Sequence, residues 1–390
     1  MSGDPSEAAR WLKERAKEME DEVAGLVAVN SFTENLDGGR AVGERLVANT
    51  FAVPGLASDV RPSSQFAPHL VFRTQGDATR APLALIGHLD TVFPPGTFEG
   101  YRRDGDLARG PGVLDMKGGL VVVAWAIRAI AATVGLDAIA PLRVVVVSDE
   151  EVGSPESQPL LREVIAGASA ALVFESGRKG DAIITRRKGT GAVTARATGK
   201  AAHAGNNHKD GVNAIWALAR FVDRAQKLTA YERGVTVNVG TIHGGTSKNT
   251  VPESAEAKLD LRFETTADAD ALVAALHEAA RAAAAEVPGA TIALEGGIAR
   301  HPMERSDASV RLMQEYAACA QRFGLGTSEA ALIGGGSDAS TSSAMGIASI
   351  DGLGPRGLGF HTKDEHIEVA TLVLKAQALA ELLLRHGKRA

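Results

Sequence analysis

The sequence predicts an α/β protein: a doubly wound domain around a mainly parallel sheet, interrupted by a smaller α+β domain. Three observations predict it. Short Val- and Leu-rich runs without polar alternation recur between helical segments in the first half, as strands buried on both faces of a parallel sheet do. After about Arg187 the strands change to apolar/polar alternation, the pattern of a sheet with one solvated face. The 390 residues exceed what one ordinary core fills, which leaves room for two domains.

Taken in order, the N-terminal "MSGDPSEAARWLKERAKEMEDEVAGLV" is charged and reads as an amphipathic helix without the apolar core of a signal peptide. "APLALIG" reads as a strand, "GGLVVVAWAIRAIAATVG" as a helix and "PLRVVVVS" as a strand. "SQPLLREVIAG" is then a helix and "AALVFE" a strand. The alternating strand "TGAVTARATGK" opens the second region, followed by the helix "GVNAIWALARFVDRAQKL" and the strands "VTVNVGTIHGG" and "SAEAKLDLRFE". A helix, "DADALVAALHEAARAAAAEV", and a strand, "TIALEGG", complete a β-α-β-β-α-β order, the ferredoxin-like split unit. The inserted domain is therefore expected over 187–297, and the first domain over 1–186 and 298–390. The latter resumes with the helix "SDASVRLMQEYAACAQRFG", which Ser306 can cap and Gly324 can end, and closes with the amphipathic "VATLVLKAQALAELLLRHG".

Bulk properties remove several classes of function. Hydrophobic residues at 45% and charged ones at 23% are those of a soluble globular protein, and a net charge of −5 gives no footprint for nucleic acid. No window has the roughly 18 uninterrupted apolar residues of a membrane helix. The single cysteine, Cys319, rules out an internal disulfide framework and fits a reducing compartment, so the expected location is the cytoplasm.

In an open α/β sheet, ligands bind beyond the carboxyl ends of the strands. Here one strand ends in His88 and Asp90, the next in Asp149, Glu150 and Glu151, and a third in Glu175. The Gly-rich "ARGPGVLDMKGG" places Asp115 just before a helix, and "GLGFHTKDEHIE" offers His361. Separately these have ordinary readings: Asp115 as an N-cap, Glu150 and Glu151 as acids at a helix N-terminus. Together, three or more carboxylates at one sheet edge would repel unless a multivalent cation neutralised them. Imidazole with carboxylate ligands fits zinc, with cobalt or manganese as alternatives, and two histidines with three acids can hold two such ions sharing a water.

In that order, "GHLDTVF", "GPGVLDMKGG", "SDEEVGS", "FES" and "GFHTKDEHI" closely resemble the di-zinc family of bacterial glutamate carboxypeptidases, succinyl-diaminopimelate desuccinylases, aminoacylases and di- or tripeptidases. The similarity runs from about Val27 to the C-terminus. It implies a zinc-binding α/β domain interrupted by a ferredoxin-like domain through which two copies dimerise. His88 and Glu175 would bind one Zn2+, Glu151 and His361 the other, and Asp115 would bridge both. The resemblance makes Asp90 the carboxylate that orients His88 and Glu150 the general base, with a cis peptide after Asp115. His203, in "GKAAHAGNNHKDGVNAI", would reach the partner's active site to stabilise an oxyanion.

For substrate the resemblance points to Asn249 and Arg262, the latter equally a solvated charge on a strand. It also points to Arg300 of "ARHPMER", where His301 replaces the first proline of the related Arg-Pro-Pro-Met segment. Gly335, Gly336 and Ser337 of "GGGSDAS" would offer backbone N–H groups to the same carboxylate. The implied activity is release of a C-terminal, glutamate-like amino acid from an N-acyl or peptidyl small molecule. Glu175 favours this, because aminopeptidase branches usually carry aspartate there. The other readings are an N-acyl-amino-acid deacylase, a dipeptidase or aminopeptidase, and an inactive homologue serving as a binding protein.

Overall fold

The computed structural model describes residues 5–386, so the first four residues of the N-terminal stretch lie outside the described residues. The chain forms two compact units. The first comprises Met1–Thr185, Arg305–Ala331 and Ser337–Ala390, and the second Arg186–Glu304 with Leu332–Gly336.

The first unit begins with α1 (Pro5–Glu14) and α2 (Ala16–Val27) rather than one helix. At the break, the Arg15 guanidinium donates to the Trp11 carbonyl at 3.1 Å and stacks over the Trp11 ring. After α3 (Leu36–Arg45) come β1 (Ala57–Arg61), β2 (His69–Arg73) and β3 (Leu83–His88). Then follow α4 (Gly118–Thr133), β4 (Leu142–Val147), α5 (Ser157–Ile165) and β5 (Ala170–Val173). Every residue of β3 is buried, as its unbroken apolar run requires of a strand with helices on both faces.

The second unit contains β6 (Gly189–Thr198), α6 (Ala214–Gln226), β7 (Thr236–Gly244), β8 (Ser254–Phe263), α7 (Thr266–Ala285) and β9 (Thr291–Arg300). The four strands are antiparallel in the order β7-β8-β6-β9, as the split-unit reading requires. The alternating residues Val193, Ala195 and Ala197 of β6 pack with Leu218 and Phe221 of α6 and Leu272 and Leu276 of α7. Asn213 accepts from the Trp216 N–H and Thr265 from the Asp268 N–H, side-chain caps worth about 1 kcal/mol each.

This unit extends to Glu304, past residue 297, because Gly296 and Gly297 do not end the strand. Both stay paired with β6, and Gly296, at φ 94°, lies so close to the Ala192 carbonyl that a Cβ would meet it at 2.2 Å. Arg300, Gly335 and Gly336 consequently belong to the second unit, and Ser337 to the first.

On its return the first unit adds α8 (Asp307–Gln321), capped by Ser306, then α9 (Ala339–Ala344), β10 (Ala348–Ile350) and α10 (Ala370–Arg385). Its sheet has the order β1-β2-β4-β3-β5-β10. The last four of these run parallel, and β2 joins β4 antiparallel. Among the described residues no helix is long and apolar enough to cross a membrane.

Candidate metal centre

Three parallel strands deliver their exits to one edge. His88 is the last residue of β3 and still pairs with Val147 of β4, so its backbone is fixed on the sheet. The turn after β4 carries Glu150 and Glu151, and Glu175 follows β5 by two residues. Asp115 sits in the tight turn Val113–Lys117, and the Asp115–Met116 peptide is cis. The turn runs into α4, where Gly119 approaches the Phe174 carbonyl so closely that a Cβ would meet it at 2.2 Å. That contact seats the Asp115 turn against the strand exit bearing Glu175. His361 comes from a loop and adopts φ 62°, a left-handed conformation uncommon outside glycine.

The two oxygens of Asp115 face different histidines. Oδ1 is 3.4 Å from His88 Nε2, and Oδ2 is 3.4 Å from His361 Nε2. On the first side His88 Nε2 is 3.8 Å from Glu175 Oε1; on the second, His361 Nε2 is 3.1 Å from Glu151 Oε2. Two ligands each about 2.1 Å from a tetrahedral ion stand about 3.4 Å apart, so these separations suit shared ions. His88 Nε2 and Asp115 Oδ1 are buried and lack a hydrogen-bond partner, an arrangement that a bound cation would satisfy. Candidate ligand atoms of His88, Asp115 and Glu151 lie within 4.8 Å of one another, as do those of His88, Glu150 and Glu175.

The electrostatics are those of crowded acids and imidazoles. Burial and neighbouring Asp115 push the Glu175 carboxyl well above the usual range. Burial also raises Glu151. Burial opposes ionisation of Asp115, but His361 and His88 outweigh it and hold the carboxyl low. For His88, burial favours the neutral ring, yet Asp115 and Asp90 overcome it and raise the pKa. Hydrogen bonding to Asp115 and Glu151 lifts His361 to about 10.

Around these side chains lies a set of buried supports. His88 Nδ1 is 3.0 Å from the main-chain carbonyl of Asp90 and 3.4 Å from its carboxylate. The carbonyl therefore fixes the tautomer that leaves Nε2 toward Asp115. The Asp90 carboxylate instead accepts from Thr33 Oγ1 at 2.8 Å and from the Glu150 and Glu151 N–H groups at 3.2 and 3.1 Å. Glu365, fully buried, accepts from the N–H groups of Gly112, Leu114 and Asp115. Buried Lys117 donates to the Val29 carbonyl, and burial brings its ammonium down to about 7. Thr33, Lys117 and Glu365 were not expected from the sequence. Lys117 and Glu365 lie inside motifs already singled out, whereas Thr33 lies in none of them.

The other expected residues lie mostly in the second unit. His203 is exposed, and its Nδ1 accepts from the Gly205 and Asn206 N–H groups at 3.1 Å each. The Asn249 side chain accepts from Ser247 at 2.8 Å. Arg262 makes a two-pronged contact with Asp260, both bonds 2.9 Å. Arg300 is buried with its chain against Gly336, and Arg187 donates to the Gly335 carbonyl at 3.2 Å. The Ser337 hydroxyl, in the first unit, donates to Asp351 at 2.6 Å, and its carbonyl accepts from the Ser340 N–H at 3.0 Å.

Comparison with known proteins gives a consistent set. The M20 peptidase dimerisation domain matches residues 185–288. Over 311 residues the chain is 29% identical to carboxypeptidase G2 of Pseudomonas sp. (strain RS-16), covering 78% of this chain and 74% of that one. It is 33% identical over 189 residues to acetylornithine deacetylase of Myxococcus xanthus, covering 44% and 47% respectively. The fold is that of the aminopeptidase PepT of Bacillus cereus, with a TM-score of 0.77 at 23% identity over 96% of this chain and 99% of that one.

Proposed function

We propose that this chain, whose residues 185–288 match the M20 peptidase dimerisation domain and which is 29% identical to carboxypeptidase G2, is a dinuclear zinc carboxypeptidase of the M20 family of metal-dependent peptidases and amide hydrolases. It releases a C-terminal, glutamate-like amino acid from N-acyl or peptidyl substrates. The observation that carries this reading is Asp115, whose two oxygens stand 3.4 Å from the Nε2 atoms of His88 and His361. The similarity to carboxypeptidase G2 favours the C-terminal cut.

In this reading His88 and Glu175 would hold one ion, Glu151 and His361 the second, and Asp115 would serve both. The ions would supply Lewis-acid polarisation of the scissile carbonyl and a water acidic enough to attack it near neutral pH. The chain's own part is proton transfer and orientation. A carboxylate oxygen of Glu150 takes the water's proton and delivers it to the amide nitrogen as the C–N bond breaks, so the departing amine leaves neutral. Asp90 holds the main chain of Glu150 and Glu151 while its carbonyl aims His88. Arg300, with the backbone of Gly335, Gly336 and Ser337, takes the substrate's terminal carboxylate, and Arg262 and Asn249 add polar contacts. His203 serves the oxyanion in a partner copy's site, the chain acting as a homodimer through its second unit. The one cysteine, Cys319, is free and buried, which suits the reducing cytoplasm.

The test is Glu150→Gln. The variant should keep two zinc ions per chain by metal analysis and lose about 10²- to 10⁴-fold in kcat. Normal turnover would remove Glu150 as the base. The similarity to acetylornithine deacetylase favours a second reading, deacylation of an N-acyl amino acid. A panel of peptidyl and N-acyl amino acids, scored for the residue released, separates the two. Carboxypeptidase action predicts preference for a terminal glutamate-like residue across varied acyl groups; a deacylase would discriminate by the acyl group.

A further inference from the structure

We infer that Glu365 is a positioning residue that locks the Asp115 turn to the His361 loop and so sets the spacing between the two ion positions. The inference rests on the reading of His88, Asp115, Glu151, Glu175 and His361 as the ion site. Glu365 Oε1 accepts from the N–H groups of Leu114 at 2.8 Å and Asp115 at 3.0 Å, while Oε2 accepts from Gly112 at 3.2 Å. The carboxylate thus grips three amides of one turn, including that of the residue facing both histidines.

Its other attachment is its own chain. Glu365 lies four residues after His361, in a loop closed by hydrogen bonds from the Thr362 N–H to the Gly359 carbonyl at 3.0 Å and from the Glu365 N–H to the Thr362 carbonyl at 3.1 Å. The following strand, His366–Glu368, pairs with Gly357–Leu358 on one side and Leu107–Arg109 on the other. Segments some 250 residues apart in sequence are therefore joined at the point where Asp115 and His361 must share an ion. A buried carboxylate costs free energy unless several donors face it. Here three amides face it and stabilise its charge, against burial and the Asp115 charge, which together push the carboxyl up to about 8. An acid needed only for packing has no reason to take the amide of Asp115 itself.

The experiment measures divalent-ion binding to the metal-free protein by competition with a chromogenic chelator, using Zn2+ and Co2+. Unfolding of the metal-free protein is followed in parallel. Glu365→Gln keeps the size but turns an NH2 group toward amide donors, and Glu365→Asp keeps the charge but shortens the reach. Both should leave the metal-free protein cooperatively folded, and Glu365→Gln should weaken binding of both ions by about 10- to 100-fold. The visible spectrum of its Co2+ form should shift, and Glu365→Asp should lie between it and the unaltered chain. A folded Glu365→Gln variant with unchanged affinity and Co2+ spectrum overturns the inference. Loss of cooperative folding in both variants also overturns it, assigning Glu365 to the fold at large. Failure of the unaltered chain to bind two ions would instead overturn the reading of the site.

Discussion

His88 and His361 bring the same imidazole to the centre by opposite means. His88 sits in a sheet ladder with its side chain 1% exposed, while His361 stands in a loop at φ 62° with its side chain 48% exposed. The difference predicts unequal ion sites. His361→Ala should retain one ion per chain by metal analysis and lower the stability of the metal-free protein by less than about 1 kcal/mol. Removing His88 leaves the buried Asp115 and Glu175 beside each other with only the half-exposed His361, on the other oxygen of Asp115, as an imidazole neighbour. His88→Ala should therefore lose both ions and cost on the order of 3 kcal/mol in urea unfolding. Equal losses from the two variants would contradict the asymmetry.

At the scale of elements, β3, β4 and β5 were legible in the sequence because burial on both faces leaves a pure Val/Leu signal. Their exits then displayed His88, Glu150, Glu151 and Glu175 at the one place where an α/β sheet collects ligands. β1 escaped notice because "ASDVR" is largely exposed and carries no continuous apolar run, although Pro54-Gly55 and Pro62 flank it. Glu365 was illegible for another reason: in "TKDEHIE" it looks like one more solvated acid, and its donors are backbone amides that no side-chain pattern encodes. A similar concealment occurs away from the site. Asp181, 2% exposed, meets Arg356, the Gly326 N–H and buried Lys375 of α10, whose ammonium is 3.4 Å away. Burial pulls the Lys375 pKa down against the attraction of Asp181. Lys375→Met removes that desolvated charge while Asp181 keeps its other partners, so its stability should stay within about 1 kcal/mol of the unaltered chain. Asp181→Ala strands the buried Lys375 ammonium, although Arg356 keeps Glu368, and should cost about 3–5 kcal/mol, measured in the same denaturant titration.

For the molecule as a whole, the decisive surface is the outer edge of the second unit's sheet. Its two edges differ. β9 carries the exposed charge Glu295, a common protection against pairing with another chain. β7, "TVNVGTIHG", contains no Lys, Arg, Asp or Glu, and Ile242 on it is 50% exposed. Beside it α6 presents Trp216, 54% exposed, and Ile215, which lies against Gly244 of β7. An unguarded strand flanked by exposed apolar residues is a surface for pairing. The match of residues 185–288 to a dimerisation domain makes a second copy of this chain the occupant to test. If the chain pairs through this surface, Ile242→Lys combined with Trp216→Glu should leave it monomeric by size-exclusion chromatography with light scattering, where the unaltered chain elutes as a dimer. Both substitutions lie on the surface of the second unit, so ion content should remain two per chain. If His203 acts in a partner's site, that monomer should also lose at least about 10²-fold in kcat while keeping its metals. A monomer with full turnover would confine catalysis to one chain, and a persistent dimer would place the interface on another surface.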